Sequence, residues 1–360
     1  MLEEIHLRAE GQNGMEIGIY SLADLYPDPH TGKTITAKQR IEEIIKAAKM
    51  ADEAGLDVFG VGEHHRLDYA VSSPPVILSA ISQITERIKL TSATTVLPTV
   101  DPVRLYEDFA TLDLLSNGRA EIMAGRGAFL DSFSLFGYDL KDYYELFEEH
   151  MELFQKLNSR EVVTWNGRFR PAFKDAEISP RPVQPKIPIW FGVSGSPKSA
   201  ERAGNLGIGL ALAILGGDPS LYQPLVDQYR ESAAQSGHSL EKLKVAVTGH
   251  AYISKTNEQA IEEFYHYHSN YWNHINHHRG VLVPFTRADY DRASGKETAL
   301  FVGSSQQIIE KIMRQYELFG HQRLILQMDI GGMPFKKVAE NIERLATEVA
   351  PVIRKETMIK

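Results

Sequence analysis

Apolar positions along the chain fall into short runs, separated by polar loops and by stretches where apolar residues recur every three or four positions. Eight runs stand out: Met15–Tyr20, Asp57–Gly62, Ile88–Thr94, Arg119–Gly125, Ile187–Val193, Ile208–Ile214, Lys244–Ile253 and Arg323–Met328. Short runs that are apolar at nearly every position suit strands buried on both faces. Their alternation with helices implies a parallel sheet. Eight such units predict an α/β protein of the (β/α)₈ TIM-barrel type, with a doubly wound sheet as the competing arrangement. The helices carry start signals. Thr36-Ala-Lys-Gln39 reads as a capping box, and Ile41, Ile44, Ile45 and Ala48 then share one face before Gly55 stops the helix. Ser304 to Gln307 and Thr256 to Gln259 open two more helices, and Phe335–Lys355 reads as a closing helix after the eighth run.

A plain barrel takes about 250 residues, so a chain of 360 carries insertions or tails. The widest gaps between runs follow the fourth and the seventh. Residues 266–300 are polar, aromatic and His-rich with weak periodicity, and they read as a lid or insertion over the C-terminal mouth of the barrel, where active sites of this architecture sit. Residues 1–14 read as a polar extension without the basic start and apolar run of a signal peptide. Residues 15–360 read as one domain.

Composition narrows the chemistry. The chain holds no Cys, which removes thiolate nucleophiles, disulfides and Cys-ligated metals and suits a reducing compartment; a cytoplasmic location is expected. A net charge of −8 gives no general attraction to nucleic acid or to an anionic membrane surface. No stretch approaches the roughly 20 apolar residues of a membrane span. A dinucleotide-binding G-x-G-x-x-G, a Walker sequence and a nucleophile elbow are all missing.

Several strand ends carry candidate chemistry. In Val58-Phe-Gly-Val-Gly-Glu63-His64-His65, strand alternation places Phe59 and Val61 against helices and turns Gly60, Gly62 and His64 inward, with open space beneath the imidazole. His64 is read either as a group that exchanges protons near neutral pH or as a structural histidine bonded to a neighbouring carboxylate. At the third run Ser92–Thr95 are small or hydroxylated where Val or Leu is usual, which suits a flat ligand lying on the backbone, or a bulge. The fourth run ends in Gly125-Arg126-Gly127, exposed N–H groups beside a guanidinium suited to phosphate. The fifth is followed by Gly195-Ser196-Pro197-Lys198-Ser199, a well-capped helix start that also suits an anion. His266, His268, His274, His277 and His278 cluster without Cys or a carboxylate pair, so an aromatic lid is favoured over a metal site, and no metal is expected.

These residues resemble the luciferase-like flavin-dependent monooxygenases, the bacterial luciferase family, from about Met15 to Arg354. The segment Leu90 to Gly127 (LTSATTVLPTVDPVRLYEDFATLDLLSNGRAEIMAGRG) is the most specific. AGLDVFGVGEHH, RPVQPKIPIWFGVSGSPKSAERAGNLG and FVGSSQQIIEKI complete the order. The resemblance implies a barrel that binds FMN at its C-terminal mouth, with His64 as the catalytic histidine. It implies a non-proline cis peptide at Ala93–Thr94 against the flavin ring. It places the phosphate on Gly125, Arg126 and Gly127 and on Gly195, Ser196 and Ser199. Luciferase has Glu at the position of Gly195, so the contacts there depart from the family pattern. Glu63 and His65 beside His64, and Tyr271 and Trp272 in the lid segment, complete the expected substrate side. The resemblance further implies reduced FMN as co-substrate, O₂ activated as a flavin hydroperoxide, a small organic substrate, a separate flavin reductase and a homodimer formed through helices beside the second and third strands. A deazaflavin-dependent hydride transfer and a non-catalytic flavin-binding protein are the alternatives within the resemblance.

Overall fold

The computed structural model describes residues 14–127 and 129–358. The proposed N-terminal extension lies outside them except for Gly14. Eight parallel strands close a barrel: β1 (Glu16–Ser21), β2 (Val58–Val61), β3 (Lys89–Ser92), β4 (Ala120–Gly125), β5 (Ile189–Val193), β6 (Gly209–Ala213), β7 (Val245–Ser254) and β8 (Arg323–Gln327). Each pairs with the next, and β8 pairs with β1, so no barrel edge is left open. All eight apolar runs become these strands, and the doubly wound alternative is excluded by the closure. Helices α1 (Ala37–Glu53), α2 (Pro74–Ser82), α3 (Pro102–Ser116), α4 (Tyr143–Ser159), α5 (Pro197–Leu206), α6 (Gln223–Gln235), α7 (Asn257–His278), α8 (Ser305–Phe319) and α9 (Phe335–Arg344) lie between or after them.

The barrel interior is stacked in layers. At the N-terminal end Arg323 sits over the Trp190 ring and pairs with Glu16 and Glu121, whose second partners are Lys89 and the Trp190 indole N–H. Removing any one partner would leave a buried charge, so this plug closes the floor only as a set. Above it pack Val58, Met123, Trp190, Ala211, Ala246 and Ile325, with Tyr20 at their upper side. The open end above this waist is where the candidate residues gather.

Three expectations change. Thr36 caps α1 through the Gln39 N–H at 3.1 Å, but the Gln39 side chain turns forward to Glu43 instead of closing a capping box. The segment 266–300 is no loose loop. It begins inside α7, whose face Phe264, Tyr267, His268, Tyr271 and Ile275 is buried at helical spacing, and it continues through a short helix, Arg287–Ala293. The closing helix is interrupted by a wider turn over Leu345–Val349 before Ala350–Thr357. The gap between β4 and β5 also holds an antiparallel hairpin, Val162–Trp165 with Phe173–Glu177.

Candidate active site

The ends of β2 to β5 meet at the C-terminal mouth. After Ser92 the chain leaves β3, and the Ala93–Thr94 peptide is cis, as the resemblance implies. This turn presses into the barrel. A Cβ on Gly60 would stand 2.9 Å from the Ala93 Cβ, one on Gly125 2.8 Å from the Thr94 hydroxyl, and one on Gly192 2.9 Å from the Thr94 methyl. Small residues on β2, β4 and β5 are therefore required by close packing around Ala93–Thr94. A Cβ on Gly62 would stand 2.5 Å from Leu22. The space expected beneath His64 is thus filled by Ala93 and Leu22, and the two glycines make room for them.

His64 lies beyond the end of β2, where its backbone N–H donates to Val71 O at 3.1 Å. Its ring stacks on Tyr69 at 4.0 Å and meets the Phe129 edge at 5.6 Å. Nδ1 has no partner. Burial against these rings disfavours the imidazolium and lowers the pKa to about 3. His64 is therefore a neutral imidazole, one donor and one acceptor, across the physiological range. Free exchange of protons near neutral pH, as read from the sequence, does not fit a ring so buried. The carboxylate partner of the alternative reading belongs to His65, whose Nε2 meets Glu63 Oε1 at 2.8 Å while Glu63 Oε2 accepts from the Val96 N–H at 2.9 Å.

Alternation predicts that His65 points away from His64. Because β2 ends at Val61, that period stops there, and Glu63, His64 and His65 line one cleft with Val96, Gly127, Phe129, Asp131 and Ser132. Arg66 and Asp68 from the loop after His65 reach His278 at the end of α7, at 2.7 Å and 2.6 Å, and Arg66 also bonds Asp131. Helix α7 is thereby tied to the mouth. Tyr271 is buried 6.0 Å from Tyr26, and Trp272 donates its indole N–H to His268 Nε2 at 3.0 Å.

On the opposite side of the mouth, Arg126 donates to the Ser199 hydroxyl at 2.9 Å while its guanidinium lies over Tyr144 and Tyr143, 4.7 and 5.2 Å from their centroids. Ser199 sits in the first turn of α5, capped by Ser196 with Pro197 in the first helical position. Gly195 takes φ +139°, and nothing lies within 4 Å of where its Cβ would be. A fixed guanidinium and the hydroxyls of Ser196 and Ser199 stand together at a helix start beside the uncrowded Gly195, with the Ser199 N–H donating to Ser196 Oγ. This donor set fits a phosphate monoester and offers no counter-charge to a cation. Among the described residues no group of three or more His, Asp or Glu is placed to hold a metal ion, and no helix is long and apolar enough to cross a membrane.

The model of the luciferase-like monooxygenase family matches residues 15–322. The chain belongs to that family. Among curated members it is similar to the oxygenase component of the flavin-dependent trigonelline monooxygenase of Acinetobacter baylyi, at 24% identity over 88% of this chain and 91% of that one. Among solved structures it superposes on the oxygenating constituent of 3,6-diketocamphane monooxygenase from Pseudomonas putida, in complex with FMN, with a TM-score of 0.76 and 21% identity over 94% and 98% of the two chains. It also superposes on the coenzyme F420-dependent tetrahydromethanopterin reductase of Methanopyrus kandleri, with a TM-score of 0.71 and 21% identity over 94% and 99%. Like other luciferase-like proteins, this chain is a flavin-dependent oxidoreductase on a closed eight-stranded barrel.

Sequence reading passed over two side chains at this mouth. His250 on β7 and Gln327 on β8 are buried at 1% and 0% exposure, inside runs that otherwise read as apolar. The available signal was a polar residue at an inward-facing phase of each run.

Proposed function

We propose that this luciferase-like protein is an FMN-dependent monooxygenase acting on a small organic substrate. The cradle of Arg126, Ser196 and Ser199 at the start of α5 carries the reading, because its donors suit a phosphate and it lies at the same barrel end as His64. When bound in its reduced form, FMN supplies the electrons that activate O₂ for transfer of one oxygen atom. Arg126 and the two hydroxyls would hold the phosphate, with Gly127 and Gly195 leaving the backbone accessible and Gly125 making room for Thr94. The Ala93–Thr94 turn would face the ring. His64 would present its unpartnered Nδ1 to the reacting atoms, and Tyr69, Phe129 and the lid helix with Tyr271 and Trp272 would keep water away. Glu63 and His65 line the same cleft and would contact substrate. The proposal includes a separate flavin reductase. It also includes a homodimer through α2 and α3, where Val76, Leu114 and Leu115 are exposed. A deazaflavin as hydride donor is the second reading, favoured by the likeness to the coenzyme F420-dependent reductase.

Turnover of reduced FMN with O₂, scored as product against released peroxide over a substrate panel, tests the reaction. Tight binding of a deazaflavin with no oxygen uptake would replace it by the second reading. Arg126→Ala tests the cradle. A charge-assisted hydrogen bond contributes about 1.5–3 kcal/mol, so FMN affinity is expected to fall roughly 10- to 150-fold. Riboflavin, which lacks the phosphate, is expected to bind the variant nearly as well as it binds the unaltered protein. Equal losses for the two flavins, read by fluorescence quenching, would remove Arg126 from the phosphate site.

A further inference from the structure

The strand register lines up a row of inward-facing residues on the side of the mouth away from the phosphate cradle. Tyr20 on β1 pairs with Gln327 on β8, which in turn pairs with His250 on β7; on its other side Tyr20 pairs with Gly60 on β2. In-register neighbours in a parallel sheet face the same side, and Tyr20 and Ile325 face the barrel interior, so Gln327 and His250 do as well. Gly249 confirms the phase, since its Cβ would meet Phe301 outside the barrel.

This row is polar and unsatisfied. Both Nε2 and Oε1 of Gln327 lack a partner, as do both ring nitrogens of His250. Buried polar atoms are nearly always paired, and four orphans on two adjacent strands at a barrel mouth mark a place where something else completes the bonding. Around them stand Tyr271, with its ring 5.1 Å from His250, and Trp272 at 6.2 Å, both on the lid helix, with Ile325 below. The row is thus a hydrogen-bonding strip in an aromatic and aliphatic wall.

Its charge state selects the ligand. Burial holds His250 neutral, with a pKa lowered to about 3. The Arg40 guanidinium is bound to the Asp329 carbonyl and carboxylate at 2.7 and 3.0 Å and to Asp24 at 3.4 Å, leaving that cluster with one more carboxylate than cation. Among the described residues no cation bonds Gln327 or His250, and burial is the sole cause of the His250 shift; Arg279 at the end of α7 acts on Tyr271 instead. A primary amide instead offers an acceptor and a donor side by side on one planar edge, and its complement is another planar edge carrying C=O and N–H in the opposite order.

We propose that Gln327, with His250 and Tyr20, is the specificity-determining row of this enzyme and that it selects a neutral substrate presenting adjacent N–H and C=O groups on an apolar ring, a lactam or cyclic amide. This rests on the reading of the mouth as the reaction chamber and names its substrate class. The amide edge would dock on Gln327, the ring would lie against Tyr271 and Trp272, and His250 would supply the remaining donor or acceptor.

The test uses the full chain, with and without added FMN, and five probes: 2-piperidone, N-methyl-2-piperidone, cyclohexanone, cyclohexanecarboxylate and piperidine. Affinities are read by calorimetry, and FMN affinity is measured separately by fluorescence quenching. The unaltered protein is expected to prefer 2-piperidone over its N-methyl analogue and over cyclohexanone by about 10-fold, the worth of a lost buried hydrogen bond with its partner left unpaired. Gln327→Met is expected to bring that preference to within about 2-fold while FMN affinity is unchanged. Because the replacement removes two unpaired polar atoms, its melting temperature is expected to hold or rise. His250→Phe is the second variant and is expected to weaken 2-piperidone several-fold without loss of folding. Absence of lactam binding up to solubility, tighter binding of the anion or the cation, or a lactam preference that survives in Gln327→Met overturns the proposal. So does a lowered melting temperature with selectivity unchanged, which would make Gln327 structural. Failure of the flavin reading looks different: FMN would not bind, yet the Gln327-dependent lactam preference would remain.

Discussion

Replacement of His64 by Ala is expected to lower coupled oxygenation by about 10²–10⁴-fold, the usual contribution of a positioned acid, base or hydrogen-bond donor. The barrel is expected to stay folded. The backbone N–H of His64 is already satisfied by Val71, and the side chain lies past the end of β2, so the loss is confined to its stacking on Tyr69 and its edge contact with Phe129. Flavin affinity is expected to change little, because the proposed phosphate donors lie just after β4 and at the start of α5. The depressed pKa of about 3 adds a discriminating variant. If the neutral ring acts by hydrogen bonding through Nδ1, His64→Asn, whose amide nitrogen occupies a similar position, should recover a large part of the activity. If His64 must carry a proton during turnover, Asn should be as poor as Ala. In either case peroxide released without product is expected to persist or rise. Normal coupled turnover in His64→Ala with a true substrate would remove the residue from catalysis, and a variant that does not fold would make it structural.

The barrel is readable from sequence because its strands are buried on both faces. Each becomes a nearly unbroken apolar run, and eight runs alternating with helices leave few arrangements. Helix α7 is harder to read because its buried face is built from Phe264, Tyr267, His268 and Tyr271, where a search for aliphatic spacing finds nothing. The hairpin at 162–177 is short and half exposed, so its alternation gives little signal. In the site, Arg126, Ser196 and Ser199 come together as expected, since Gly-Arg-Gly and Ser-Pro are local signals at strand ends. Gly60 and Gly62 were legible as an anomaly but not in their purpose, because the atoms they admit belong to Ala93 and Leu22, just past the ends of the neighbouring strands β3 and β1. The side of His65 depends on where β2 stops, and strand ends are poorly marked in sequence. Gln327 and His250 become visible as a pair only through the register of β7 with β8.

The protein is expected to lose stability between pH 6.5 and 5, above the range where carboxylates usually titrate. Burial lowers the pKa of His250 and His321 to about 3, and their side chains are 1% and 0% exposed. Between about 6.5 and 3 the unfolded chain takes up protons that the folded chain refuses, so stability falls as pH falls and is fully present above 6.5. Each such histidine contributes a slope of about 1.4 kcal/mol per pH unit, and the two together at most about 4 kcal/mol between pH 6.5 and 5. His64 and His268 shift in the same direction, also by burial. Asp24 opposes them: burial raises its carboxyl to about 6 against the pull of Arg40, so its protonation favours the folded chain as pH falls through 6. Glu16 acts below the window, because Arg323 and Lys89 outweigh its burial and hold it at about 2. Urea unfolding followed by tryptophan fluorescence at pH 7.5, 6.5, 5.5 and 5.0 measures the sum. His321→Phe, which puts an apolar ring beside Tyr316 and Phe319, isolates one member and is expected to reduce the loss by about half of the two-histidine figure. A stability that stays level down to pH 5 and falls only below about 4.5 would assign the acid sensitivity to the carboxylates of the barrel floor and leave the buried histidines without a part in it.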